Sequence, residues 1–411
     1  MSTKTFNIVI IGAGIAGLAA AITLRSPTRT ILLLEQSPLN TEIGATISLQ
    51  PNATKLLSRY NLTPLLAPIS TPDTAFSVYD LHGTLRTHVP LSPKYGAQRM
   101  IYHRQDLHVA LRERATSVEY PGVPAEVWTG RRVVGVDCEE GVVEMEGGER
   151  VLGDLVVGAD GIKSVTRGGV LGREVEARGT GWSAYRMMVD VEELVREEKG
   201  FVGVVVDPRV SRTVMVLGEG RRIVMGLARG GTVYSVVALV RDEEGEEKGG
   251  EGGTSWVTVG DRERMLDTFG DFPEWATAPL RLARGEIGLW QLRDLDPLET
   301  WCRGRVILIG DAAHAMLPTQ GQGGSQAIED AEALGAFFEG FEGDRWEKED
   351  VERVNREVFE CRYTRASTIQ AYSRLAGGEE EGAKVAMNPA EFMDYNCSYE
   401  GAMDWRRQAL I

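Results

Sequence analysis

Gly12, Gly14 and Gly17 stand in the stretch NIVIIGAGIAGLAA, residues 7 to 20, at the offsets of a G-x-G-x-x-G loop. A short β-branched run precedes them and a small-residue run of helical character follows. That arrangement can bind a dinucleotide. The first glycine permits the tight turn, the second lets the backbone approach a pyrophosphate and the third lets helix pack on strand, while the helix N-terminus favours the phosphates. Glu35 ends the next apolar run, eighteen residues after Gly17, where a carboxylate would accept from the ribose hydroxyls of an adenosine. Asp160 and Asp311 each close a further apolar run, in GDLVVGADG and GRVILIGD. Such strand ends line the ligand edge of an open α/β sheet, although an acid there serves equally well as a helix N-cap.

The elements that must hold these residues follow from pattern. NIVIIG, IAGLAAAITLR and TILLLEQ read as strand, helix and strand, one βαβ unit of about thirty residues. Residues 74 to 89 have hairpin character around His82 and Gly83, and residues 104 to 115 are helical by period. The runs at 153 to 161 and 304 to 338 return to the buried strand, glycine, loop and helix pattern, so the chain leaves the first layer and comes back to it. Between them, residues 178 to 290 read as a mainly antiparallel sheet. Within that region RDEEGEEKGGEGGTS, 241 to 255, is too polar to order itself and is expected as a surface loop.

The 411 residues carry 45 Lys and Arg against 60 Asp and Glu, a net charge of −15, which gives nucleic acid no basic footprint. The four cysteines, at 138, 302, 361 and 397, lack the spacing of a disulfide scaffold or a zinc site and read as reduced thiols. The first apolar run lacks a basic leader and a cleavage site, and Thr23, Arg25 and Ser26 end it too early to span a bilayer. A cytoplasmic protein is the expectation. No metal-ligand cluster, G-x-S-x-G elbow or P-loop competes with the dinucleotide reading.

A nicotinamide dehydrogenase could share the opening motif, but the later motifs narrow the choice. GADGIKSVTR (158 to 167) and GRVILIGDAAHAMLP (304 to 318) resemble the second and third fingerprints of the class A flavoprotein monooxygenases, the family of p-hydroxybenzoate and salicylate hydroxylases. EIGATISLQPNATKLL (42 to 57), which holds Ala45, and YHRQDLHVALRERA (102 to 115) resemble the flavin-contacting loop and following helix of the salicylate-hydroxylase branch. The resemblance implies an α/β fold: a Rossmann-like FAD-binding domain of residues 1–73, 102–177 and 291–375, an inserted antiparallel substrate domain of 74–101 and 178–290, and a tail of 376–411. It implies FAD bound without a covalent link, NAD(P)H and O2 as co-substrates, and transfer of one oxygen atom to a small organic substrate by way of a flavin C4a-hydroperoxide. It makes Glu35 the ribose ligand, Arg104 a phosphate contact, Asp160 a neighbour of the pyrophosphate and Asp311 an acceptor from the ribityl hydroxyls. Gly323, Gly324 and Ser325 would begin a helix facing the flavin pyrimidine ring, where the N-terminal N–H groups stabilise negative charge, beside Pro318. His314 is read as a structural part of the fingerprint rather than a base. An oxidase, reductase, Baeyer–Villiger or epoxidising enzyme, or a flavin-binding protein without turnover, remains compatible with the same motifs.

For the substrate, period two along WSAYRMM puts Trp182, Ala184, Arg186 and Met188 on one face and Tyr185 and Met187 on the other. A cation beside an indole on an apolar face suits an anionic or phenolic aromatic ring. Arg186 could equally lay its stem over apolar surface. Where many salicylate-hydroxylase-like chains have Tyr-Pro, Met225 and Gly226 occupy the place. Met225 and Trp290 complete the expected pocket. The nicotinamide used and the oligomeric state are not specified by the sequence.

Overall fold

The computed structural model describes residues 5–38, 46–91, 93–197, 206–242, 257–341, 346–378 and 387–409. Ala45 and most of the expected Gly- and Glu-rich loop (243 to 256) lie outside them. The apolar runs form one six-stranded sheet in the order Cys302–Arg303, Val306–Leu308, Leu155–Gly158, Phe6–Ile11, Arg29–Glu35, Glu126–Thr129. All neighbours are parallel except Cys302–Arg303 and Val306–Leu308, which are antiparallel. Phe6–Ile11 is central and buried at every position but Asn7, which is why it reads as a continuous apolar run rather than an alternating one. The crossover helix Ile15–Leu24 packs on the helix Gly323–Phe337 through small residues. A Cβ on Gly335 would lie 2.8 Å from the Thr23 carbonyl oxygen, and the Thr23 hydroxyl donates to the Ala331 carbonyl at 2.6 Å.

The second sheet has eight strands, ordered Val257–Val259, Gly288–Asp294, Arg178–Asp190, Val233–Arg241, Arg221–Ala228, Thr213–Gly218, Ala75–Tyr79, Leu85–Pro90. Its one parallel junction joins Thr213–Gly218 to Ala75–Tyr79. The expected hairpin is present, and Asp80 shapes its turn by accepting from the His82 and Thr84 N–H groups at 2.9 Å each. One face is sealed: Tyr185, Met187, Val189, Val214, Val216, Ile223, Met225, Val236 and Ala238 pack beneath the helices Arg262–Thr268 and Glu274–Leu282, chiefly against Met265, Phe269, Trp275 and Leu280. The opposite face is only partly covered, with Phe76, Val78, Met188, Met215, Val224, Val237 and Trp290 each partly exposed. A three-stranded piece, Thr46–Leu49, Met100–His103 and Ser70–Pro72, runs across the domain boundary expected between residues 101 and 102.

The long helix Lys348–Gly377 and the short helices Pro389–Cys397 and Ala402–Ala409 close the molecule. Among the described residues no helix is long and apolar enough to cross a membrane, and all four cysteines are unpaired. Glu332 anchors the last helix by accepting the Ala402 N–H at 2.9 Å. Burial raises its carboxyl from 4.5 to about 7, with the Ala402 bond opposing. The folded chain therefore keeps a proton that the unfolded chain has released, and stability falls as pH rises from about 4.5 to about 7. Glu332→Gln should match the parent near pH 5 and exceed it at pH 8 by on the order of 2 kcal/mol in urea unfolding. An equal difference at both pH values would count against this.

Candidate functional site

The glycine loop leaves the centre of the parallel sheet. Gly12 adopts φ +99°, and a Cβ there would stand 2.4 Å from the Ala159 carbonyl oxygen, so only glycine lets the two strand ends lie this close. A Cβ on Gly17 would lie 2.0 Å from the Gly12 carbonyl oxygen. Gly14 is different: nothing lies within 4 Å of where its Cβ would be. It caps Ile15–Leu24 without a side-chain bond, and that first turn carries no acid. The space and the exposed N–H groups suit a pyrophosphate. Ala13 is fastened at both ends, its N–H donating to Glu35 Oε2 at 2.9 Å and its carbonyl accepting from His108 Nε2 at 2.7 Å. Glu35 Oε1 takes the Ser37 N–H at 2.8 Å. Glu35 thus braces the glycine loop from the end of the neighbouring strand. His108, in the helix Arg104–Thr116, was not singled out by sequence because its partner is a backbone carbonyl 95 residues away.

Asp160 and Asp311 have different surroundings. Asp160 is engaged by its own loop: Ser164 Oγ donates to Oδ1 at 2.6 Å, and the Thr166 N–H and hydroxyl donate to Oδ2 at 3.0 and 2.9 Å. It organises the start of Val165–Leu171, where Ser164 is the N-cap. The buried Arg167 ties this loop to the next one, donating to the carbonyls of Ile162, Val175 and Ala312. Asp311 follows Gly310 on the neighbouring strand end, and solvent reaches it although protein surrounds it. Among the described residues no donor bonds to its carboxylate. Burial raises that carboxyl above its ordinary value, while His314, Arg104 and Arg167 draw it down. A surrounded, accessible and unbonded carboxylate at this edge suits a hydroxyl-bearing ligand. His314 does not face that space: it is buried, bonded to Asp330 and set against Trp301, as a structural residue would be.

Beyond Pro318, which is exposed, the helix Gly323–Phe337 begins without a side-chain cap or a first-turn acid. Gly324 sits against the strand Thr46–Leu49, where a Cβ would meet Ile47 Cδ1 at 2.6 Å. The Ser325 hydroxyl turns inward to accept the Gln50 N–H at 3.1 Å. Gly323 is the member of this turn with ordinary room in front of it, its nearest neighbour being Met316 at 3.9 Å.

The partly covered face of the antiparallel sheet carries Arg186. Across the strands Arg186 pairs with Val237 and Gly288, and Val237 with Val224, so these share one face. The Arg186 guanidinium lies over the Trp290 ring, 4.9 Å from its centre. Burial and then the charge of Arg104 lower its pKa. Among the described residues no carboxylate pairs with it.

Two pocket expectations need correction. Met225 pairs with Val236 and hence shares a face with Met187, so it lies in the sealed core and Val224 takes its place on the open face. Trp182 keeps the expected face but not the expected neighbour. It is 4% exposed, packed with Leu239, Leu292 and Leu317 and held between Arg222 and Arg241 at 4.6 and 4.3 Å. The indole beside Arg186 belongs to Trp290.

Two FAD binding domain family models match the chain, one over residues 7–46 and one over 276–341. Hispidin-3-hydroxylase of Neonothopanus nambi is 31% identical over 346 residues, covering 82% of this chain and 81% of its own. FAD-dependent monooxygenase cfoG of Aspergillus candidus is 30% identical over 383 residues, covering 91% and 86%. Among solved structures, a salicylate hydroxylase substrate complex superposes with a TM-score of 0.80 at 26% identity over 98% of both chains.

The two glycines separate folding from binding. Gly17→Ala should destabilise the apoprotein by about 1–3 kcal/mol, the usual cost of overpacking. Gly14→Ala should leave apoprotein unfolding nearer the parent yet weaken FAD about tenfold, as titrated by flavin fluorescence quenching. Equal FAD affinity in Gly14→Ala and parent would show that the open space is not where the pyrophosphate lies.

Proposed function

This chain belongs to the FAD-dependent monooxygenases, and we propose that it oxygenates a small aromatic substrate whose carboxylate or phenolate is held by Arg186. The observation that carries this reading is the Arg186 guanidinium, set over Trp290 and beside Val224 and Val237 on a partly exposed face, with no carboxylate partner among the described residues. FAD, once reduced by NAD(P)H, supplies the redox chemistry and the activation of O2.

The chain's own groups bind, orient and exclude water. Gly14 and the first turn of Ile15–Leu24 receive the pyrophosphate, Glu35 and Arg104 the adenosine and phosphate side, and Asp311 the ribityl hydroxyls. The N-terminus of Gly323–Phe337 would stabilise negative charge on a flavin ring held nearby. Val224 and Val237 keep the neighbouring surface apolar, which strengthens each hydrogen bond that Arg186 donates to an anionic oxygen. Trp290 gives that guanidinium a flat support and the substrate ring a wall. A salicylate hydroxylase complex as a structural neighbour supports an anionic aromatic substrate.

The test is NAD(P)H-driven flavin reduction without oxygen, over a panel of aromatic acids, phenols and their neutral esters or ethers. An acid or phenol should accelerate reduction in the parent. Arg186→Gln should reduce that response by about ten- to a hundredfold while leaving the response to a neutral ligand unchanged, the order expected for a charge-assisted bond lost from a shielded site. Equal sensitivity to charged and neutral ligands would remove Arg186 from the substrate site. Stoichiometric peroxide without oxygenated product, in air, would favour an oxidase.

A further inference from the structure

Asp330 lies in the middle of Gly323–Phe337 and is 0% exposed. Its Oδ2 accepts the Gly310 N–H at 2.9 Å and the His314 Nε2–H at 2.6 Å, and its Oδ1 accepts Arg362 Nε at 2.9 Å. One carboxylate oxygen thus grips both ends of the short turn Asp311–His314. Gly310 has φ +58°, and a Cβ there would stand 2.9 Å from Ala16 Cβ. Its backbone is therefore trapped between the two helices that flank the cofactor edge. The residue it delivers is Asp311, whose carboxylate no described donor restrains. A buried carboxylate must be matched by donors and opposite charge, and here the donors chosen are those that define the turn. The adjacent Glu329 provides a contrast. It is equally buried, binds Asn52 and Arg365 at 2.6 and 2.7 Å and shares Arg362 with Asp330 at 2.5 Å, but no bond joins it to Gly310 or His314 among the described residues.

We propose that Asp330 is a positioning residue for the cofactor: by holding Gly310 and His314 together it aims the Asp311 carboxylate at bound FAD. The proposal rests on Asp311 being a FAD contact. Apoprotein of the parent, Asp311→Asn, Asp330→Asn, the double variant and Glu329→Gln is titrated with FAD, and the unfolding midpoint of each is recorded. Asp330→Asn should weaken FAD about tenfold, since one of its former donors is left unmatched. The double variant should bind about as Asp311→Asn does, because Asp330 acts through Asp311. Glu329→Gln, which disturbs the shared Arg362 but neither Gly310 nor His314, should weaken FAD less than Asp330→Asn does even where it lowers the midpoint. Asp330→Asn binding as the parent does, binding no worse than Glu329→Gln, or adding its full effect to Asp311→Asn would overturn the proposal. Should Asp311→Asn alone leave affinity unchanged, the assignment of Asp311 falls first and the proposal with it. If Asp330→Asn does not fold, His314→Phe keeps a ring against Trp301 and removes one donor, and the same comparison applies with a smaller loss.

Discussion

Everything at this site depends on how closely three pieces of backbone approach one another at Gly12. The end of the central strand, the end of its neighbour at Ala159 and the first turn of the crossover helix at Gly17 meet where no Cβ fits. Because the contact is backbone to backbone, no rotamer change can relax it. It sets the direction of the helix axis, and hence the direction in which the free N–H groups at Gly14 point. Glu35 and His108 then secure the single residue between them, Ala13, by its amide and its carbonyl.

A second layer of order is polar and fully enclosed. Glu329, Asp330, Arg362 and Arg365 come from two helices, and Asn52, Gln322 and Gln326 bond among them. Burial alone would raise the Asp330 carboxyl, but His314, Arg362 and the Gly310 amide outweigh it and hold the group at about 2. The carboxylate is therefore ionised near neutral pH. Breaking one partner strands a charge, which makes the cluster specific as well as costly to disturb.

The parallel sheet, the inserted antiparallel sheet and the flavin motifs were legible because local signals carry them: unbroken apolar runs, glycines at set offsets and acids at strand ends. Residues whose meaning lies in pairing were not. The face of Arg186 followed from counting along its own strand. Met225 sits two strands away, and its face depends on the register through Val236, which no single strand encodes and which a shift of one residue would reverse. Trp182 failed in the same way, since Arg222 and Arg241 reach it across the sheet. Asp160 offered both a cap and a ligand contact, and its own loop takes up its carboxylate. The bonds of His108 and Asp330 span 95 and 20 residues to backbone atoms, which side-chain patterns do not reveal.

The eight-stranded sheet has one sealed face and one partly covered face, and along each strand they alternate residue by residue. Substitutions at Met215, Val224 or Val237 change the partly covered face without removing an atom from the core beneath. Those at Val214, Ile223 or Val236 do the reverse. A lineage carrying this sheet can therefore vary Met215, Val224 and Val237 while the sealed face, and much of the folding stability with it, is inherited unchanged. Under the proposed function, substrate range and much of the structural integrity become separately heritable traits of the same strands.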